Sequence, residues 1–79
     1  RPTVFSKGIL TSVDCSKAPA ATLMVNTGTR SMKLHTGDYK ALLVIGEDQF
    51  SCDWRNRKVA VNYKAAGPGD GDLVSLEVQ

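Results

Sequence analysis

The stretch "TVFSKGILTSVDC", residues 3–15, decides the fold. Its period is two: Phe5, Lys7, Ile9, Thr11, Val13 and Cys15 fall on one face, and Val4, Gly8 and Leu10 on the other. Apolar side chains on both faces are expected of a long strand that serves two sheets or bends around a barrel. Gly8 in mid-strand fits the bend, where strong coiling favours a residue without a Cβ.

The same period continues on either side of several breaks. "SKAP" interrupts the chain, because Pro19 has no N–H to donate to a ladder. "AATLMVNT" then reads as a strand with Ala21, Leu23 and Val25 inward. In "NTGT", Gly28 supplies a positive φ, and "RSMKLH" returns with Met32 and Leu34 inward and Ser31, Lys33 and His35 outward. Together these two strands form a hairpin. "RKVAVNYK" places Val59, Val61 and Tyr63 on one face, opposite Lys58, Ala60, Asn62 and Lys64. "AAGPGDGD" reads as a loop, and "LVSLEV" closes the chain with Val74, Leu76 and Val78 inward.

"TGDYKALLVIGEDQF" contains an apolar run, Leu42–Ile45, that is too short for a helix; a strand is favoured over an irregular plug. The order of elements predicts an all-β fold. It is a small five- to six-stranded barrel of the oligonucleotide/oligosaccharide-binding (OB) type, with an irregular segment in place of the usual helix.

A chain of 79 residues makes a single domain, 1–79, that buries only about 60% of its unfolded surface. With 42% apolar residues and a net charge of +2, it is neither disordered nor basic enough to predict nucleic-acid or membrane affinity from charge alone. An opening Arg1 reads as one domain of a longer protein, or a processed product. No apolar run approaches twenty residues, so no transmembrane helix is expected. Two cysteines, Cys15 and Cys52, permit one disulfide in a domain this small; the alternative is a pair of buried thiols.

"GILTSVDC", "LMVNTGTRSMKLHTGDY", "RKVAVNY" and "GDGDLVSLEV" carry a family resemblance over roughly residues 8–78. The chain resembles a small β module appended to bacterial tetratricopeptide-repeat and other secreted or envelope-associated proteins, and is similar to uncharacterised bacterial β-barrel domains. The resemblance implies an accessory domain outside the cytoplasm, with the cysteines at matching places and no activity to carry over.

The residues themselves offer few chemical sites. Cys15, His35, Cys52 and Asp53 hold metal-ligating atoms but lie scattered singly, without the close pairs that anchor zinc, so no metal or cofactor is expected. His35, the only histidine, is read as a surface residue on a polar strand face; no serine elbow accompanies it, and no enzyme activity is expected. "GPGDGD" opens a strand rather than a helix and lacks the carboxylate spacing of a calcium loop. Phe5 and Tyr63 fall on apolar faces, where core packing is the expectation.

"SCDWRNR", residues 51–57, is read as a staple, a barrel plug formed by Trp54 and a solvated turn. These observations favour a non-enzymatic structural or protein-interaction module that packs on its parent chain or on another protein. If Trp54 does not plug the barrel, an exposed patch including Trp54, Tyr39 and Leu42 is where such contact would lie. The alternative is single-stranded nucleic acid or oligosaccharide binding across a barrel face. Arg30, Lys33, His35, Arg55, Arg57 and Lys58 would track phosphates, and Trp54 or Tyr39 would stack a base or sugar.

Overall fold

The computed structural model describes residues 2–79. Six strands follow in order: β1 (Thr3–Asp14), β2 (Ala21–Asn26), β3 (Ser31–Thr36), β4 (Leu43–Ile45), β5 (Arg57–Gly67) and β6 (Asp70–Val78). Their sheet order is β3-β2-β1-β5-β6-β4, and a further parallel pairing of β3 with β6 closes five of them into a barrel. This is the all-β, OB-like arrangement the sequence predicts, with β4 as an extra strand on the outside of the ring.

β1 does serve two neighbours. Residues Thr3 to Leu10 pair with β5, and Ile9 to Asp14 pair with β2, both antiparallel. Gly8 sits at the handover: a Cβ there would lie 2.5 Å from the Asn26 carbonyl oxygen and 3.1 Å from a Val25 methyl. The missing side chain lets β2 approach where β1 turns from one partner to the next.

Two β-bulges correct the strict alternation expected from the sequence. Leu10 pairs with Val25 and Ser12 with Met24, so Thr11 is an extra residue in β1. Leu10 and Val13, three positions apart, therefore both enter the core, while Phe5, Lys7 and Ile9 face outward. Phe5 is 57% exposed rather than packed inside, whereas Tyr63 is buried as expected. In β6 the register passes from Leu73 to Ser75 against Tyr63 and Asn62, leaving Val74 unmatched. The inward set is Leu73, Leu76 and Val78, and Val74 is exposed. A bulge adds one residue and shifts the phase of the pleat, which binary patterning cannot register.

The core also takes Ala21, Leu23, Val25, Met32, Leu34, Val59 and Val61, all on the faces read as inward. Burying each of the larger aliphatic side chains is worth about 1.5–3 kcal/mol.

"AAGPGDGD" is mostly strand. Only Pro68 and Gly69 form the turn between β5 and β6. Gly67 and Gly69 have positive φ, as a tight turn demands, yet the residues around them stay paired. The segment then makes the barrel seam. Lys33 N–H donates to Gly69 O at 2.8 Å, and Lys33, Leu34 and His35 align with Asp70, Gly71 and Asp72. A Cβ on Gly71 would meet the Tyr63 ring at 2.7 Å and the Lys64 carbonyl at 3.0 Å, so only glycine fits beneath the closing strand.

Cys15, just after β1, is bonded to Cys52, 37 positions further on. The bridge pins the crossing between β3 and β5 to the end of the first strand. Closing a loop of that length stabilises by about 4 kcal/mol on the chain-entropy view. Replacing both cysteines by serine is expected to lower the stability of the oxidised protein by about 2–4 kcal/mol in urea unfolding. An unchanged midpoint would show that the bridge is dispensable.

Candidate functional site

The chain between β3 and β5, residues 37–56, stands where an OB barrel carries its helix, and it caps one end of the barrel. Local hydrogen bonds shape it. Asp38 accepts from the Lys40 peptide N–H at 2.9 Å, Tyr39 N–H donates to Pro19 O at 2.9 Å, and Ser51 Oγ accepts from Asp53 N–H at 3.1 Å. Asn56 takes a left-handed conformation, φ 55°, immediately before β5, which asparagine tolerates better than most residues.

Trp54 is buried within the core cluster, with Phe50 edge-on to it at 5.2 Å between ring centroids. Tyr39 stacks on Phe50 at 5.0 Å, and both rings are half-buried. Trp54 is therefore a plug, and its ring is not offered to a ligand. The Arg57 guanidinium lies over the indole, 6.0 Å from its centroid, and donates to Glu47 at 3.0 Å. Arg55 folds back to the Trp54 carbonyl at 3.2 Å. "SCDWRNR" thus resolves into a staple, a plug and a turn, with one arginine committed on both sides.

The remaining basic residues do not converge there. Lys33 and His35 stand on β3 beside the first residues of β6, and Lys58 at the start of β5 beside the last ones, so the length of β6 separates them. The outer face of β1, β2 and β3 shows Lys7, Ile9, Ser12, Thr22, Met24, Asn26, Ser31, Lys33 and His35, and the aromatic ring it carries, Phe5, lies at the start of β1 where that strand pairs with β5.

His35 stands on the outer, polar face of β3, and it is partnered there. Nε2–H donates to the Asp70 carboxylate at 2.7 Å, and Nδ1 shares a hydrogen bond with the Thr22 hydroxyl at 3.1 Å. This Thr22–His35–Asp70 series spans β2, β3 and β6 across the seam. Thr22 lies mid-strand with its backbone paired to Asp14 and His35, so its own peptide provides no free donors for a developing oxyanion. The series acts as a surface clasp, worth at most about 1 kcal/mol at its exposure. Its partners were missed from the sequence. Thr22 is nonetheless recoverable from hairpin arithmetic, since a turn matching Asn26 with Ser31 also matches Thr22 with His35.

The crossing also opens a groove of about 610 Å³, with Tyr39, Leu42, Val44 and Phe50 against Lys40 and Asp48. One wall is β4, whose Leu43 and Ile45 are 59% and 49% exposed. Gly46, at φ 95°, turns the chain away against the Val78 carbonyl, where a side chain would clash.

Fold and site define a disulfide-stapled, all-β barrel of the OB-like class with an apolar outer edge. Comparison with protein-family models, curated proteins and solved structures returned no match.

Trp54→Ala is expected to cost about 3–5 kcal/mol, as for other buried large rings, measured by urea unfolding followed by far-UV circular dichroism. A loss under 1 kcal/mol would show that the ring does not plug the barrel. Asp14 titrates separately. The Ser16 peptide N–H at 2.9 Å, then the Ser16 side chain and Lys17, hold its carboxyl below the ordinary value of 3.8. The ionised form is thus favoured by folding. Its stabilisation is complete above the ordinary value and disappears as pH falls through the lowered one. Asp14→Ala should flatten the acid limb of a stability–pH profile; an identical limb in the variant would exclude this role.

Proposed function

We propose that this barrel is a non-enzymatic protein-interaction module, an accessory domain of a bacterial exported or envelope protein. The observation that carries the reading is the apolar outer edge at β4, where Leu43 and Ile45 stand exposed beside a groove. The row through Leu43 continues over Ser75 and Asn62 to Phe5, so the exposed apolar residues bracket one face of the sheet. Ser75 and Asn62 are bonded to each other at 3.0 Å, which leaves the middle of that row neutral and flat. Faces of this kind suit protein contact. An extracytoplasmic location is supported by the Cys15–Cys52 bridge, since such bonds persist in oxidising compartments. The bacterial and parent-chain parts of the proposal rest on the sequence resemblance.

Nucleic-acid binding is less well supported, because Trp54 is buried and Arg57 is paired with Glu47. The test places a photo-crosslinking residue at Leu43, at Ile45 and, as a control on another surface, at Arg30 of the full chain in cells that produce it. Protein adducts at 43 and 45, and none at 30, are expected. Equal labelling at all three sites would sink the reading. So would a Trp54 fluorescence change on adding oligothymidylate at low salt that fades as salt rises.

A further inference from the structure

The Cys15–Cys52 bridge does not join two strands of the ring. It ties the end of β1 to the crossing, residues 37–56, that leaves β3 and returns to β5. Every ladder of the ring, β1 with β2, β1 with β5, β2 with β3, β5 with β6 and β3 with β6, is made by residues outside that crossing. The crossing joins the sheet through β4, at three positions.

Besides the bridge, the crossing is tied by the Tyr39 N–H to Pro19 O bond at 2.9 Å, by the Trp54 ring in the core and by Glu47 on Arg57, a part-exposed pair. Ring and crossing thus have separate supports, with one covalent bond between them. Both cysteines are only half-buried, which leaves that bond open to exchange with a thiol from solvent.

We infer that the bridge is a redox latch: on reduction the crossing lifts from the barrel end while the five-stranded ring stays folded. One thiolate of a dithiol reductant attacks a bridge sulfur, which breaks the Cys15–Cys52 bond and forms a mixed disulfide. The second thiolate of the reductant resolves it. Two electrons and two protons pass to Cys15 and Cys52, which end as thiols, and the reductant ends as a disulfide.

Leu43, Ile45 and the groove beside them lie on the released segment and lose the β6 backing that sets their positions. The latch therefore controls the surface proposed above for protein contact. That control rests on the interaction reading, whereas the opening itself does not.

Trp54 is the one tryptophan of the chain and sits in the crossing, so its fluorescence follows the crossing, while far-UV circular dichroism follows the ring. In urea, the oxidised chain should give a single transition by both probes. With excess dithiothreitol, the fluorescence midpoint should fall below the dichroism midpoint. Trypsin should cut the reduced chain first after Lys40, within the crossing. Coincident midpoints in the reduced chain overturn the inference, because ring and crossing then open as one unit. So does a first cut after Lys58 or Lys64, on a ring strand.

Crosslinking from position 43 in the Cys15→Ser, Cys52→Ser double variant reads the control of the surface without a reductant. Adducts should fall at least about tenfold against the bridged chain. Undiminished adducts from a variant whose two transitions have split overturn that control. Split transitions with no adducts from either chain support the latch and remove the interaction reading.

Discussion

The structure depends on one parallel contact, where Lys33, Leu34 and His35 of β3 meet Asp70, Gly71 and Asp72 of β6. Every other pairing among the five barrel strands would also exist in an open, curled sheet. This contact turns the sheet into a ring and encloses Leu34, Leu76 and Val61 without exposure. It is short, and it is held by devices of different kinds. Gly71 lets the strands approach, Gly69 accepts a hydrogen bond from Lys33, and the His35 ring bonds to Asp70 from outside. Small side chains and backbone polarity do here what long ladders do elsewhere in the barrel.

The capping segment follows from the same economy of length. A helix in this position would have needed more apolar residues than "LLVI" provides. The chain instead seats Trp54 with Phe50 and Tyr39, adds a three-residue strand to the free half of β6, and is pinned by Cys52. Val44 faces inward, and Leu43 and Ile45 consequently face out. The apolar edge that the functional reading uses is thus a by-product of how a short segment covers the barrel end.

Much of this was legible in the sequence. A count of five to six strands, the hairpin at Gly28, the inward faces of β2, β3 and β5 and the bend at Gly8 follow from period and turn chemistry, while cysteine parity permitted the bridge without deciding it against two buried thiols. What escaped was set by long-range geometry. Thr11 and Val74 look like ordinary members of their alternating strands, yet each is an inserted residue whose effect appears only against a partner strand. Phe5 was misread because residues before and after Thr11 belong to opposite phases. His35 found Asp70 35 positions away, and only barrel closure brings the two within 2.7 Å.

β6 has a place in time as well as in space. It is the last strand of the described chain, and its one outer edge is divided between two others: β3 takes Asp70 to Asp72, and β4 takes Ser75 to Glu77. The β1–β2–β3 meander can form from local pairings, but neither the ring nor the β4 edge has a template until the nine residues of β6 are in place. Closure therefore waits on β6: without Asp70 to Glu77 the sheet stays open, and β4 has no neighbour to pair with.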